Sequence, residues 1–326
     1  MNEKELIQTL FLPLASGFEG SLGLMDDAAV INNLNDQKIV VSKDMLISGI
    51  HFLEEEHPTA IAKKCLRVNL SDIAAMGAKP ICYLLGLCLP KKNNVSWVTA
   101  FCEGLKAEQD FYNCALAGGD LVSSTGPVSI SITIFGSLAD NNILLRSNAQ
   151  VGDDVWVSGT IGDAGVALML LTDSVKLKSD FPKRDREYLE GRLRSPTPRL
   201  NLGEKLLSFA SSACDVSDGL LSDLSNICAA SGLGASISSR LIPISPEVKR
   251  VIKEVETLSI MDLISAGDDY ELIFTANVKY SEHILDISKN FDFGLTKIGK
   301  MTQELSIVLD GECIKQSEVK MGYGHF

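Results

Sequence analysis

The stretch IAKKCLRVNLSDIAAMGAKPICYLLGLCLP, residues 61–90, decides the fold class. Apolar side chains at Ile61, Cys65, Leu66, Ile73 and Met76 recur at helical spacing, and Gly77 and Pro80 stop the pattern. The spacing predicts a helix over 61–78. Ile81 to Leu89 then reads as a buried strand, ending at Pro90. Outward from this pair the alternation continues. Lys38 to Val41 is a short β-like run closed by Ser42-Lys43-Asp44, and Val95 to Phe111 is a second helix. Val128, Ile130, Ile132 and Ile134 alternate with Ser129, Ser131 and Thr133, the pattern of a half-buried strand. A polar cluster at Ala139-Asp140-Asn141-Asn142 breaks the chain. Beyond it come a strand over 154–158, a glycine-rich turn and a helix over 164–171. A charged, proline-containing stretch over 176–198 and a helix over 220–230, closed by Gly232, follow. The expectation is an α/β chain (α+β layers) of two domains, 1–140 and 141–326.

Composition narrows the classes. The chain has 326 residues, 45% hydrophobic and 22% charged, as in ordinary globular proteins. A net charge of -12, from 30 basic and 42 acidic residues, argues against a nucleic-acid surface, which needs basic clusters. No apolar run approaches a membrane span. Met1-Asn2-Glu3-Lys4-Glu5 lacks the basic start and apolar core of a signal peptide, so the expected compartment is the cytoplasm. The eight cysteines form no C-x-x-C pair and read as reduced packing residues, not as a zinc site or disulfide frame.

The aspartates carry the chemistry. Asp26 and Asp27 follow Gly23, Asp44 closes a strand, and Asp72 interrupts an apolar helix. Asp120 ends Gly118-Gly119-Asp120, Asp215 and Asp218 frame DVSDG, and Asp268 and Asp269 follow Gly267. Any one of them can be a turn former or helix cap, and Ser217 can cap the helix at Leu220. As a set in separate turns they suggest a self-repelling carboxylate cluster, which requires cations. Oxygen ligands without His or Cys select Mg²⁺ or Ca²⁺. No G-x-x-x-x-G-K-[ST] loop, G-x-G-x-x-G, H-R-D, D-F-G or G-x-S-x-G motif is present. The turn Gly159-Thr160-Ile161-Gly162-Asp163-Ala164-Gly165 could face an anion with its amides, or only make a tight turn.

Together these stretches resemble the thiamine-monophosphate kinase family, of the aminoimidazole ribonucleotide synthetase-like ATP-binding superfamily. The matches are 23–30, 41–52, VNLSDIAAMGAKP (68–80), 118–120, RSNAQVGDDVWVSG (146–159), DVSDGL (215–220), AGDDYELIFT (266–275) and the ending 322–326. The resemblance implies phosphoryl transfer from ATP to thiamine phosphate, giving thiamine diphosphate, with several Mg²⁺ ions. It implies metal ligands at Asp27, Ser42, Asp44, Asp72, Asp120, Asp215 and Asp218. ATP contacts would come from Tyr112, Gly119, Asp120, Arg146 and Ser217, and thiamine phosphate contacts from His51 and Asp268. It further implies two α/β domains with the nucleotide between them, and a homodimer built through the N-terminal sheet.

The chain departs from the family pattern at Lys43 (usually Thr), Met25 (usually Gly), Asp268 (usually Glu), Lys320 (an aromatic in some relatives) and Gly324 (usually Asp). A charged Lys43 cannot ligate Mg²⁺ through its side chain, so a contact there uses the backbone, or the lysine reaches a phosphate. For His51 the plain alternative is a satisfied histidine at a strand end. Two alternatives stand beside the kinase. One is another superfamily enzyme, such as a selenophosphate or aminoimidazole ribonucleotide synthetase or a hydrogenase-maturation protein. The other is an idle nucleotide-binding protein. The first Cys is Cys65, inside a helix, and the chain ends in Phe326, whereas a selenophosphate synthetase usually carries an early reactive Cys or selenocysteine and the maturation protein a terminal Cys.

Overall fold

The computed structural model describes residues 22–23, 25–32, 38–91, 95–138, 142–177 and 181–314. The polar cluster at 139–141, Lys320 and the ending 322–326 lie outside them. The chain forms two compact units, each with its own sheet. The first comprises residues 27–143 and 194–204; the second comprises the residues up to Asp26, 144–193 and 205 onward.

The first unit holds a five-stranded sheet of β1 (Ala29–Asn32), β2 (Lys38–Ile47), β3 (Lys79–Pro90), β4 (Ala115–Ser124) and β5 (Ser129–Ser137), in the order β1-β2-β5-β3-β4. Helices α1 (Pro58–Ala75) and α2 (Val95–Tyr112) connect its strands. β5 alternates as its sequence demands: Ile130, Ile132 and Ile134 are fully buried, while Ser129, Ser131 and Thr133 are not. α1 lies on the isoleucine face and buries Ile61, Cys65, Leu66, Leu70 and Ile73. α2 packs on α1 so closely that a Cβ at Gly104 would stand 2.7 Å from the Thr59 carbonyl oxygen.

Two strands differ from the sequence expectation. β2 continues through Ser42-Lys43-Asp44 to Ile47, because the alternation persists with polar residues in it: Val40, Ser42 and Leu46 are buried, Lys43 and Met45 exposed. Gly118-Gly119-Asp120 is the middle of edge strand β4, not a turn. A Cβ at Gly119 would stand 1.9 Å from the Leu85 carbonyl oxygen, so glycine permits this pairing.

The chain is not divided by a single cut near 140. Residues 194–204 pack with the first unit: Arg67 Nη1 donates to the Ser195 and Pro196 carbonyls, each at 3.2 Å. Arg194 pairs with Glu56 at 2.7 Å, and Gly203 lies against the Ala74 carbonyl.

The second unit holds a seven-stranded sheet in the order β12-β11-β8-β10-β6-β9-β7. Its strands are β6 (Asp154–Ser158), β7 (Ala210–Asp215), β8 (Gly234–Ile237), β9 (Leu272–Ala276), β10 (Leu295–Thr302), β11 (Ile307–Leu309) and β12 (Glu312–Cys313). Its helices include α3 (Asp163–Leu171), α4 (Lys183–Arg194), α5 (Leu220–Ser231), α6 (Pro246–Glu254) and α7 (Ile260–Ile264). One core gathers α5 against β6, β8 and β10 through Leu220, Leu224, Ile227, Val155, Ile237 and Ile298. A second gathers α3, α4 and α6 through Val166, Leu189, Leu193, Val248 and Val251. α4 falls in the charged stretch 176–198, since two leucines one helical turn apart suffice to anchor it. No helix among the described residues is long and apolar enough to cross a membrane.

Candidate active site

In the first unit, Ser42 and Asp44 lie on β2, Asp72 in the last turn of α1, and Asp27 in the bend before β1. The Ser42 hydroxyl donates to the Asp72 carboxylate. A carboxylate oxygen of Asp27 and one of Asp72 lie within 4.8 Å of each other. Asp44 is fixed by its backbone: its N–H donates to Asn69 Oδ1 at 3.2 Å, and Asn69 Nδ2 donates to the Cys65 carbonyl at 2.9 Å. Burial pushes the Cys65 thiol up; Lys64 opposes this and the Asp44 carboxylate adds to it. The α1 residues that meet β2 here are therefore polar (Asn69, Asp72), which explains why an otherwise apolar helix carries them.

The structure sets Asp120, a predicted ligand, apart from this group and turns the Lys43 side chain away from it. Asp44 pairs with Ile132, which pairs with Leu85, which pairs with Gly119. Asp120 belongs to the adjacent row, with Gly86, Ser131 and Met45. Adjacent rows point to opposite faces of a sheet. β5 and β3 also intervene between β2 and β4, putting Asp120 about 14 Å from Asp44 at about 4.8 Å per strand. Within this protomer Asp120 does not join Asp44 and Asp72; its Oδ1 accepts from the Leu121 amide at 2.9 Å. Lys43 is the second case. Its ammonium donates to Ser131 Oγ and, at 3.3 Å, to Thr133 Oγ1, on the face turned away from Asp72.

His51 lies in the turn after β2. Its Nδ1 accepts from the Ile47 amide at 3.0 Å, so in the neutral ring the proton is on Nε2. Lys64, buried in α1, donates to the His51 carbonyl at 3.0 Å. Tyr112 closes α2. The Arg67 guanidinium sits 5.7 Å from its ring centroid, and burial raises its hydroxyl. Arg67 is itself held by Glu108 through Nε–Oε2 at 2.6 Å and Nη2–Oε1 at 3.1 Å.

In the second unit, Arg146 donates its amide to Asp26 Oδ1 at 2.7 Å and its Nη1 to the Met25 carbonyl at 3.4 Å. Asp215 ends β7 and is buried, while Ser217 and Asp218 are half-buried in the turn that follows. Asp268 has φ of 70° and Tyr270 of 50°, a left-handed pair around Asp269. This turn is tied to the other: Asp268 N donates to Ser217 O, Tyr270 N to Val216 O and Val216 N to Glu271 O, each at 2.8 Å. Tyr270 Oη donates to Asp268 Oδ1 at 3.2 Å.

Sequence reasoning missed a buried charge cluster beside this turn. Asp163, Asp269 and Glu271 are all buried, and Arg192 Nη2 meets Glu271 Oε1 at 2.7 Å while its Nε stands 3.4 Å from Asp163 Oδ2. Burial pushes Asp269 well above the usual carboxylate range; the Gly162 amide and Arg192 oppose this, and Asp163 and Glu271 reinforce it. The cluster also answers the question of the glycine-rich turn. Asp269 accepts from Gly162 N at 2.7 Å and Ala164 N at 3.5 Å, so an internal carboxylate occupies the start of α3. The signal was present in the charged pair Asp269 and Glu271 at the mouth of an apolar strand.

Family models place the class of the chain. Residues 25–138 match the AIR synthase related protein N-terminal domain, and 150–311 match the corresponding C-terminal domain. Over 316 residues the chain is 36% identical to thiamine-monophosphate kinase of Escherichia coli K12, covering 96% of this chain and 94% of that one. The chain belongs to the thiamine-monophosphate kinase family of AIR synthase related proteins. Thiamine-monophosphate kinase from Stenotrophomonas maltophilia superposes with a TM-score of 0.77 at 38% identity, covering 95% of this chain and 96% of that one. AaThiL, solved in complex with AMPPCP and TMP, superposes with a TM-score of 0.84 at 29% identity, covering 100% and 99%.

Proposed function

We propose that this chain is an enzyme that transfers the γ-phosphoryl group of ATP directly, in line, to thiamine phosphate, giving thiamine diphosphate. The observation that carries this is near full-length identity to thiamine-monophosphate kinases, 36% over 96% of the chain. The acidic geometry supports it. Asp27 and Asp72 bring two carboxylate oxygens within 4.8 Å, a spacing near that which one hard cation with bonds of about 2.1 Å can share. Asp27, Ser42, Asp44, Asp72, Asp215 and Asp218 are the residues to hold Mg²⁺, with Asp120 a further carboxylate that stands apart from Asp44 and Asp72 within one protomer. Bound there, the several ions would supply charge neutralisation between two polyanions.

The acceptor phosphate is already a nucleophile, so no residue need act as a strong general base. The chain binds and orients. His51 offers its Nε2–H to the phosphate of the substrate, and Asp268 contacts the same molecule. Arg146 presents a planar fork suited to phosphate, and Tyr112, Gly119 and Ser217 contact ATP. Positioning and electrostatics supply most of the rate. In domain terms, the unit of residues 27–143 and 194–204 would serve ATP, Mg²⁺ and dimerisation, and the second unit would contribute Arg146, Asp215, Ser217, Asp218 and Asp268.

A cytoplasmic homodimer fits the first sheet. Met45, Ile81, Leu84, Leu116, Leu121 and Val122 are exposed there, and β4 is its edge. Asp120 stands on that edge strand, so in such a dimer its carboxylate lies at the interface. The test is ATP-dependent conversion of thiamine phosphate, with thiamine as control acceptor. Asp44→Asn and Asp218→Asn should each cost at least about a hundredfold in turnover while the far-ultraviolet spectrum stays native. Near-normal turnover of both at limiting Mg²⁺ overturns the metal assignment.

A further inference from the structure

α5 begins without an ordinary cap. Its N-cap residue is Gly219, which has no side chain to accept from the first turn. Asp223, from inside the helix, folds back instead. Its Oδ2 accepts from three successive amides, Ser217 and Asp218 at 3.1 Å and Gly219 at 3.2 Å. Its Oδ1 accepts from Asn226 Nδ2 at 3.4 Å, and the residue is 1% exposed.

Three amides converging at a helix start make an anion site. Here the chain's own carboxylate fills it, as Asp269 fills the start of α3. The same loop is fixed on its other side, where the Ser217 carbonyl accepts from Asp268 N at 2.8 Å. Asp223 thus supplies a charged contact that sets the backbone from Ser217 to Gly219.

We infer that Asp223 is a positioning residue for metal binding: it locks the DVSDG loop so that Asp215 and Asp218 are pre-set for Mg²⁺, and it bars phosphate from the amides behind them. This rests on Asp215 and Asp218 holding Mg²⁺ as proposed above. Nucleotide phosphates are then met at this loop through metal, not through the helix start. Asp223 acts through the backbone of Ser217, Asp218 and Gly219.

The experiment compares wild type, Asp223→Asn and Asp218→Asn. Mn²⁺ binding without substrates is followed by the electron paramagnetic resonance of the free ion, and turnover is measured against Mg²⁺. Asp223→Asn should weaken Mn²⁺ binding and raise the half-saturating Mg²⁺ about ten- to a hundredfold. Excess Mg²⁺ should recover much of its kcat, and KM for thiamine phosphate should stay within about twofold, a split that general loosening of the fold would not give. Wild-type Mn²⁺ affinity in a folded Asp223→Asn, with affinity lost in Asp218→Asn, overturns the role of Asp223 and leaves the metal ligands standing. Wild-type affinity in Asp218→Asn overturns the ligand assignment itself. If Asp223→Asn does not fold, Asn226→Ala, which removes the Asn226 bond to the second carboxylate oxygen, is read with the same outcomes.

Discussion

Asp44 and Asn69 meet through a backbone hydrogen bond: the Asp44 N–H donates to the Asn69 carboxamide oxygen at 3.2 Å, and Asn69 is fully buried. The carboxylate on β2 is therefore placed by a neutral side chain on α1. Asn69→Ala removes the side-chain acceptor of that amide, while the Cys65 carbonyl keeps its intrahelical bond. It should cost about 1–3 kcal/mol in stability, read from the urea midpoint. Turnover, measured where both proteins are folded, should fall about tenfold. Unchanged turnover would mean that Asp44 does not depend on this bond.

Lys43 tests the face assignment. Its ammonium is held by Ser131 and Thr133 on the far side of the sheet from Asp72. Lys43→Thr, the residue usual in the family, should leave half-saturating Mg²⁺ within about twofold of wild type. A large change in the Mg²⁺ titration would place the lysine near the ions after all.

His51 has its Nδ1 engaged by Ile47, which fixes the ring. His51→Ala should raise KM for thiamine phosphate about tenfold or more, the worth of one hydrogen bond to a charged group, with KM for ATP little changed. Steady-state kinetics with each substrate varied decides this. Equal effects on both substrates would refute the assignment.

Asp269 gives a pH signature. Burial raises its folded-state value above the unfolded value of about 3.9. The folded chain then binds the proton more tightly than the unfolded chain. This contribution is fully present below about pH 3.9 and is lost as pH rises through the folded value. Asp269→Asn, which cannot ionise, should gain stability relative to wild type as pH rises from about 4 through that window. Urea midpoints across pH 5 to 8 measure it, and a difference that does not vary with pH excludes a raised carboxyl.

Periodicity made some elements readable and hid others. β5 and α1 announce themselves because one face of each is apolar. β4 has no such face: Leu121 and Val122 are both exposed, and its Gly119 answers to the Leu85 carbonyl, a contact that no local pattern encodes. The pairing of Ser42 with Asp72 follows the motif order, since both belong to recognisable stretches. The meeting of Asp163, Asp269, Glu271 and Arg192 is non-local, joining α3, α4 and the approach to β9. The setting of Asp120 was hidden for a related reason. Its neighbours in sequence suggest a turn, whereas the strand order, which sequence does not display, sets it three strands from Asp44.

The segment at 194–204 constrains how the protein can be dissected. A fragment ending at residue 143 would strip Arg67 of the Ser195 and Pro196 carbonyls, take Arg194 from Glu56 and uncover the tail of α1 where Gly203 rests. Severing the chain between its two halves therefore amputates the amino-terminal one. Autonomous folding of that half would require the later peptide to be supplied in trans or spliced back on by circular permutation.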